Sequence, residues 1–531
     1  MLRRRGRAAG LRWGGAVNAP VTVEWGQTWP ALDEFIALGR THRVVPVVRR
    51  LLADGLTPVA VYRALAAGRP GTFILESAEP DGTRGRYSFV GVHSRAALTV
   101  DGDEGRWSGD VPVGLADGAP LDVIRAALRE LRSEAIPGLP PLTGGLVGVL
   151  GWDVVRQWEP TLPQKAPKDI DVPDAHLLLA TDVAAIDHHD GSVWLIANAV
   201  NADAQASGIE QAHADALARL DAMQRALVDA PVGEVSALRD DASEPGVRHR
   251  SGPGEYERMV EFAKEAIRDG EVFQMVPAQR FDVDCEASAL DVYRVLRTLN
   301  PSPYMYCFQL QDDAGREFAV VGASPESLVS VHRGRVSTFP IAGSRPRGGS
   351  ADEDRRLEED LLADPKERAE HVMLVDLSRN DLVKVCEPTS VEVVEFMRVN
   401  RYSHIMHICS TVEGDLEAAY GPVDVFTATF PAGTLSGAPK PRAIALIDEI
   451  EPARRAFYGG AVGYFDFAGD MDMAIAIRTA LIESGVAHVQ AGAGVVADSV
   501  PAREDQETKD KAAAMMRAIA LASRLGPAGR G

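Results

Sequence analysis

One stretch of the chain lacks the apolar periodicity a packed element needs. Near residues 228–254 the run DAPVGEVSALRDDASEPGVRHRSGPGE (229–255) is polar, rich in proline and glycine, and shows no sustained period. That is linker composition, so a fold must be assembled from what lies on either side. Before it, Ile209, Ala212, Leu217, Leu220 and Met223 recur at roughly helical spacing. After it, Tyr256 to Arg268 reads as an amphipathic helix that Asp269-Gly270 ends. Further out, the N-terminal part mixes strand-like runs such as FILESA and SVWLIANAV with helices such as LDVIRAALREL, and the C-terminal part alternates apolar strands with helices. Both parts read as α with β, in two linked regions. The expected ranges are a disordered Arg-rich leader at 1–24, an N-terminal region at 25–227, the linker proper at 228–252, a larger C-terminal domain at 253–525 and a tail at 526–531.

Several classes of partner are excluded early. The net charge is −20, from 56 Lys and Arg against 76 Asp and Glu. Such a surface repels phosphate backbones, so no nucleic acid is expected. No apolar run approaches the roughly 20 residues of a membrane span, so no membrane is expected either. Arg3, Arg4, Arg5, Arg7 and Arg12 precede the first acid, Glu24, but glycines break the apolar stretch that a secretory signal requires. Cys285, Cys307, Cys386 and Cys409 form no C-x-x-C pair. Four cysteines in 531 residues are too few for a disulfide scaffold, and a reducing, cytoplasmic setting fits best.

Chemistry is sought where polar residues sit inside apolar runs, because burying them unpartnered costs a few kcal/mol. Gln274 lies in EVFQMVP and Arg478 in MAIAIRTALI. A buried arginine wants an anion, which a ligand carboxylate can supply; the plainer readings are an internal salt bridge or a strand-edge position. Two Glu-x-x-Glu pairs, Glu367 with Glu370 and Glu504 with Glu507, fall in helical stretches, and a spacing of three puts each pair on one face. Lys511 shares the face of Glu507. Converging carboxylates suit a hard cation such as Mg²⁺. The plainer readings are a helix cap, with Asp364 as N-cap and Glu367 at N3, and a surface ion pair between Glu507 and Lys511. His404 and His407 fall on opposite faces if YSHIMHI is a strand, which argues against a shared metal. Small-residue turns at 341–348, 433–440, 458–464 and 491–494 let backbone N–H groups approach a ligand. No P-loop and no strand–G-x-G-x-x-G–helix unit is present.

Taken in order, IAGSRPRG, EHVMLVDLSRNDL, RYSHIMHICSTVEG, GTLSGAPKPRAI, YGGAVGYF, IAIRTALI and AGAGVVADSVPAREDQETKDKA closely resemble the chorismate-utilising enzymes, best of all the large subunits (component I) of anthranilate synthases. The match is dense over about 253–520 and weaker over about 40–190, where FILESA, GRYSFVG and GGLVGVLGWD resemble that family's N-terminal region. The resemblance implies an α+β fold, an anthranilate-synthase-type sandwich of two β-sheets packed between helices. It implies a carbon–oxygen lyase: ammonia adds to the chorismate ring, the ring hydroxyl leaves, pyruvate is eliminated, and anthranilate, a precursor of tryptophan, remains.

Site roles follow from the same resemblance. Glu370 and Glu507 are the implied Mg²⁺ ligands, with Glu367 and Glu504 beside them through water or substrate, and Lys511 near the ring carboxylate. Glu326, in GASPES, is the implied general acid for the departing hydroxyl, and His407 an active-site histidine near the ring. Tyr458 and Arg478 grip the enolpyruvyl carboxylate, with the turn Ala491, Gly492, Ala493 and Gly494 helping through its backbone. Gly343, Ser344 and Thr434 bind substrate oxygens; the family usually has threonine where this chain has Ser344, so a methyl is lost and the hydroxyl kept. Relatives that add water carry lysine where this chain has Gln274. Water must be deprotonated and a lysine can serve as base, whereas ammonia needs only orientation. Gln274 and Ala342 together favour anthranilate over aminodeoxychorismate synthase component I of the folate branch. A non-catalytic protein that binds tryptophan or chorismate is the remaining alternative.

The resemblance also implies partners. No Gly-x-Cys-x-Gly elbow is present, so ammonia comes from a separate glutamine amidotransferase subunit (component II), in a heterotetramer of two large and two small subunits. L-Tryptophan is the implied allosteric feedback inhibitor, bound by Glu76, Ser77, Pro303, Tyr304, Met305, Val462 and Tyr464.

Overall fold

The computed structural model describes residues 20–78, 84–202, 204–205, 208–231, 235–239, 245–401 and 405–528. It divides into two compact units. The larger holds Pro20–Pro325, Pro431–Ala468 and Ala474–Gly531; the smaller holds Glu326–Phe430 and Gly469–Met473.

In the larger unit an antiparallel sheet grows from strand to strand. Thr72–Glu76 lies between Tyr304–Gln311 and Tyr87–Asp101. Tyr87–Asp101 continues to Ala175–Asp187, which pairs with Ser192–Val200 and Gly145–Leu150. On the other side, Tyr304–Gln311 leads through Glu317–Ser324 and Thr479–Glu483 to Val486–Gly492 and Ala278–Asp284. The strand period of two assigns neighbours to opposite faces. Phe73, Phe308 and Val320 enter one cluster with Val147, Leu178, Trp194 and Val462. Their chain neighbours Ile74, Cys307 and Val321 enter another. That second cluster is closed by Tyr293 and Leu296 of helix Ala289–Leu299 and by Met515 and Ile519 of helix Pro501–Ala522. Because both faces are covered, Ala175–Asp187 is buried along its whole length, which is why it reads as a continuous apolar run. The class is α+β, as expected.

The expected linker does not separate the compact bodies. Thr72–Glu76 comes before it and Tyr304–Gln311 after it, yet the two are paired. Parts of the linker carry strands of their own: Ser236–Leu238 pairs with Leu525–Pro527, and Val247–His249 with Ala278–Asp284. The expected leader also reaches too far inward. Val23 is 3% exposed, and the Val21 N–H donates to Pro137 O at 2.8 Å. Residues 1–19 of that leader lie outside the described residues.

The smaller unit carries the strands Ser327–His332, Arg335–Thr338, Ile341–Pro346, Glu392–Arg401 and Ile405–Asp415. Ile405–Asp415 pairs with three of the others. Leu361 packs on Met406 and Ile408. Helix Pro365–Val383 starts as capping chemistry requires: Asp364 accepts from the N–H groups of Lys366 and Glu367 at 2.9 and 3.3 Å, with proline in the first turn. All four cysteines are free and buried, Cys285 and Cys307 in the larger unit and Cys386 and Cys409 in the smaller. Burial pushes the thiols of Cys307 and Cys386 up to about 12. No helix of the described residues is long and apolar enough to cross a membrane.

Candidate active site

The larger unit knits three small-residue loops into a short ladder. Gln274–Met275 pairs with Gly437–Ala438. Met275 and Val495 exchange N–H···O bonds of 3.2 and 2.8 Å. Glycine is needed at 437, where φ is +131° and a Cβ would stand 2.2 Å from Gln274 O. At Gly494 a Cβ would come 2.8 Å from Gln274 Nε2, so the Gln274 amide lies against the open face of that turn. Gln274 is 8% exposed, the buried amide foreseen from its apolar setting.

Around this ladder stand the other candidates of the unit. Tyr256, 1% exposed, donates to Pro277 O at 3.1 Å and accepts from the Ala493 N–H at 3.2 Å, which orients the 491–494 turn. The Tyr458 hydroxyl would lie 3.0 Å from a Cβ at Gly492. Burial pushes the Tyr458 phenol up, opposed by the neighbouring Arg455 cation. Lys511 Nζ donates to Gly492 O at 2.9 Å and pairs with Glu507 at 2.8 Å. The surface-pair reading of Glu507 and Lys511 therefore holds, and the same ammonium also braces the glycine turn. Glu504 and Glu507 occupy the N-terminal turns of helix Pro501–Ala522, and Thr434 lies in the short helix Gly433–Ser436.

Arg478 follows the strand Met471–Ile475 in a left-handed conformation, φ +51°. Burial lowers its guanidinium pKa, partly opposed by Tyr458. Among the described residues no carboxylate lies within ion-pairing distance of it. The internal salt bridge considered for this half-buried arginine is absent among the described residues.

In the smaller unit the strand Ile341–Pro346 shifts register between Ala342 and Ser344, placing Ser344 opposite His407. Gly343 takes φ +73° at the bulge. His407 Nδ1 lies 3.0 Å from Gly343 O. A carbonyl only accepts, so Nδ1 carries the proton of that bond and Nε2 is left to face away from Gly343. A Cβ at Gly343 would stand 3.0 Å from Glu367 Oε2, and Glu367 Oε1 lies 3.6 Å from the Arg345 guanidinium. Gly343, Ser344, His407 and Glu367 thus share one neighbourhood. Glu370 is one turn further along the same helix, half-buried, and Glu326 stands in the link before strand Ser327–His332. His404 lies outside the described residues.

The residues expected to bind an inhibitor divide by face. Glu76 stands opposite Met305 in the ladder. Its carboxylate accepts from the Tyr293 hydroxyl and from Arg297 at 2.9 Å, on the helix side of the sheet. Tyr304 falls on the other side with Tyr306, where Val462 and Tyr464 join the cluster. Ser77 follows Glu76 directly, and Pro303 precedes Tyr304.

One buried pair escaped sequence reasoning. Arg455 and Glu451 bond to each other at 2.6 Å. A Glu and an Arg four residues apart look like an ordinary exposed helix pair, and nothing in the letters marks this one as buried.

The model of a family described as chorismate binding enzyme matches residues 70–517. Anthranilate synthase component 1 of Arthrobacter globiformis is 53% identical over 499 residues, 93% of this chain and 94% of that one. The protein of the same name from Mycolicibacterium smegmatis is 50% identical over 523 residues, 98% of each chain. Among solved structures, anthranilate synthase component I from Streptococcus pneumoniae superposes with a TM-score of 0.72 at 35% identity, covering 88% of this chain and 98% of that one.

Proposed function

The chain belongs to the family of chorismate binding enzymes, and from this premise we propose that it is an anthranilate synthase component I, converting chorismate and ammonia to anthranilate, pyruvate and water. The observation that carries the substrate is Arg478: a half-buried guanidinium without a carboxylate partner among the described residues, with Tyr458 as its electrostatic neighbour. Chorismate brings two carboxylates, and such an arginine is a natural clamp for one of them.

The remaining roles are assigned by chemistry. Gln274, pressed against Gly494, orients ammonia, which already holds its lone pair. Glu326 gives a proton to the ring hydroxyl as it departs as water. His407, its ring fixed through Gly343, stands opposite Ser344 near the ring of the substrate. Thr434 and Ser344 hold substrate oxygens. Among the described residues no three His, Cys, Asp or Glu side chains converge. The ion implied by the resemblance is Mg²⁺, which binds carboxylates and keeps water and substrate oxygens. Glu370 and Glu507 would hold it, with Glu367 and Glu504 acting through water. When bound it supplies charge neutralisation at the ring carboxylate. Lys511 already braces the Gly492 carbonyl and stands ready for the same charge. Ammonia is delivered by a separate glutaminase subunit. Tryptophan acts as feedback inhibitor in the region of Ser77, Tyr304, Val462 and Tyr464.

The test is direct. The protein is mixed with chorismate, Mg²⁺ and an ammonium salt at alkaline pH, and anthranilate fluorescence is followed. Fluorescence should appear, stop on addition of EDTA, and fall with tryptophan. Absence of both anthranilate and pyruvate refutes the enzyme reading. A product that fluoresces only after a separate lyase is added identifies aminodeoxychorismate instead.

A smaller substitution probes the nucleophile. Gly494→Ala adds a methyl 2.8 Å from Gln274 Nε2, the far end of a flexible side chain. The fold accommodates it, but the amide must move. The expected result is a near-parental melting temperature with ammonium-dependent turnover lowered roughly 100-fold, the scale of a 1 Å misplacement. Unchanged turnover would remove Gln274 from the nucleophile's site.

A further inference from the structure

Below Tyr458 lies an ion pair that none of these roles uses. Arg455 is 2% exposed and Glu451 7%. The guanidinium bonds Glu451 through Nη2 at 2.6 Å and Nε at 2.9 Å. Its remaining donors go to backbone: Nη1 to Leu435 O at 2.8 Å and Nη2 to Val276 O at 2.6 Å. Glu451 Oε1 also accepts the Ala278 N–H at 2.8 Å. The guanidinium centre lies 4.2 Å from the Trp152 ring and 5.5 Å from the Tyr458 ring.

A pair this deep is poorly explained by stability. Apolar residues of the same volume often serve the fold equally well or better, because desolvating two charges offsets their attraction. An apolar pair cannot hold named carbonyls and amides. Leu435 follows Thr434 directly. Val276 and Ala278 lie two and four residues beyond Gln274. Tyr458 is three residues beyond Arg455, and its N–H donates to Arg455 O at 3.0 Å. The planar fork therefore reaches the backbone of the loops that carry Gln274 and Thr434, and the main chain of Arg455 itself holds the Tyr458 N–H.

We propose that the Arg455–Glu451 pair is a positioning device that sets these three loops in register for chorismate. Glu451 also cancels the charge of Arg455, so that Arg455 does not compete with Arg478 for a substrate carboxylate. This inference rests on the chorismate reading above.

The test uses Arg455→Lys, which keeps the charge but replaces a planar fork by a point donor that cannot span Glu451, Leu435 and Val276 together. The full-length variant is assayed with chorismate and ammonium chloride beside the parent, with circular dichroism to confirm folding. The chorismate KM should rise about 10-fold or more, with a smaller fall in kcat. A double-mutant cycle with Tyr458→Phe should be strongly non-additive, because Arg455 acts through Tyr458. A folded Arg455→Lys protein with parental chorismate KM, or additive losses in the cycle, overturns the proposal. Should Arg455→Lys not fold, Trp152→Leu removes only the aromatic face beneath the guanidinium. It should raise the chorismate KM about 3-fold, and a parental KM there overturns the proposal equally. An inactive parent would indict the functional reading; an active parent matched by its variants would indict only the positioning role.

Discussion

Arg478→Asn should lower kcat/KM for chorismate by roughly 10²–10³-fold while leaving the melting temperature unchanged or higher. The first half follows from the loss of a desolvated charged partner, which costs about 2–5 kcal/mol when one side is truncated. The second half follows from the free protein. There the guanidinium is half-buried, and no carboxylate of the described residues faces it. It also sits at φ +51°, a conformation that strains most side chains by about 1–3 kcal/mol and that asparagine tolerates. Removing it relieves a cost that substrate alone offsets. Steady-state kinetics and a thermal melt on the same preparation check both halves. A variant that loses stability along with activity would show that Arg478 holds the fold together, and the carboxylate clamp would have to be sought elsewhere.

Glu326→Gln should reduce kcat by roughly 10²–10⁴-fold, the range for losing a general acid, with chorismate affinity by calorimetry within a few-fold of the parent. The substitution is isosteric and keeps a hydrogen-bonding group, but an amide has no proton to give at neutral pH. Turnover within tenfold of the parent would refute the acid role. Equal losses in affinity and turnover would recast Glu326 as a binding group.

What the sequence made legible, and what it did not, separates along physical lines. Gln274 and Arg478 were readable because a polar letter inside an apolar run has few explanations; the first is buried and the second half-buried. The cap at Asp364 was readable because capping is local. Glu507 with Lys511 was foreseen as an ion pair, but the bond from Lys511 to Gly492 O joins residues 19 apart, which no helical spacing reveals. Arg455 and Glu451 were invisible because burial depends on Trp152 and the 276–278 and 435 backbone, which the chain brings from elsewhere. The linker was overread: proline, glycine and charge describe 228–252 correctly, yet Ser236–Leu238 and Val247–His249 still find strand partners, because an edge accepts any backbone with free N–H groups. The two compact units were not legible at all, since residues 326–430 leave the larger body and return to it without a change of composition.

The sequestered thiols have a practical consequence. A thiolate, not a thiol, attacks alkylating reagents, so a group held near pKa 12 inside a closed core is inert until the surrounding structure opens. Cys307 is locked in the centre of the larger body and Cys386 in the smaller, with Cys285 and Cys409 as their respective companions. Modification rates at these four positions, resolved by peptide mass, therefore serve as two independent clocks, one for the breathing of each body.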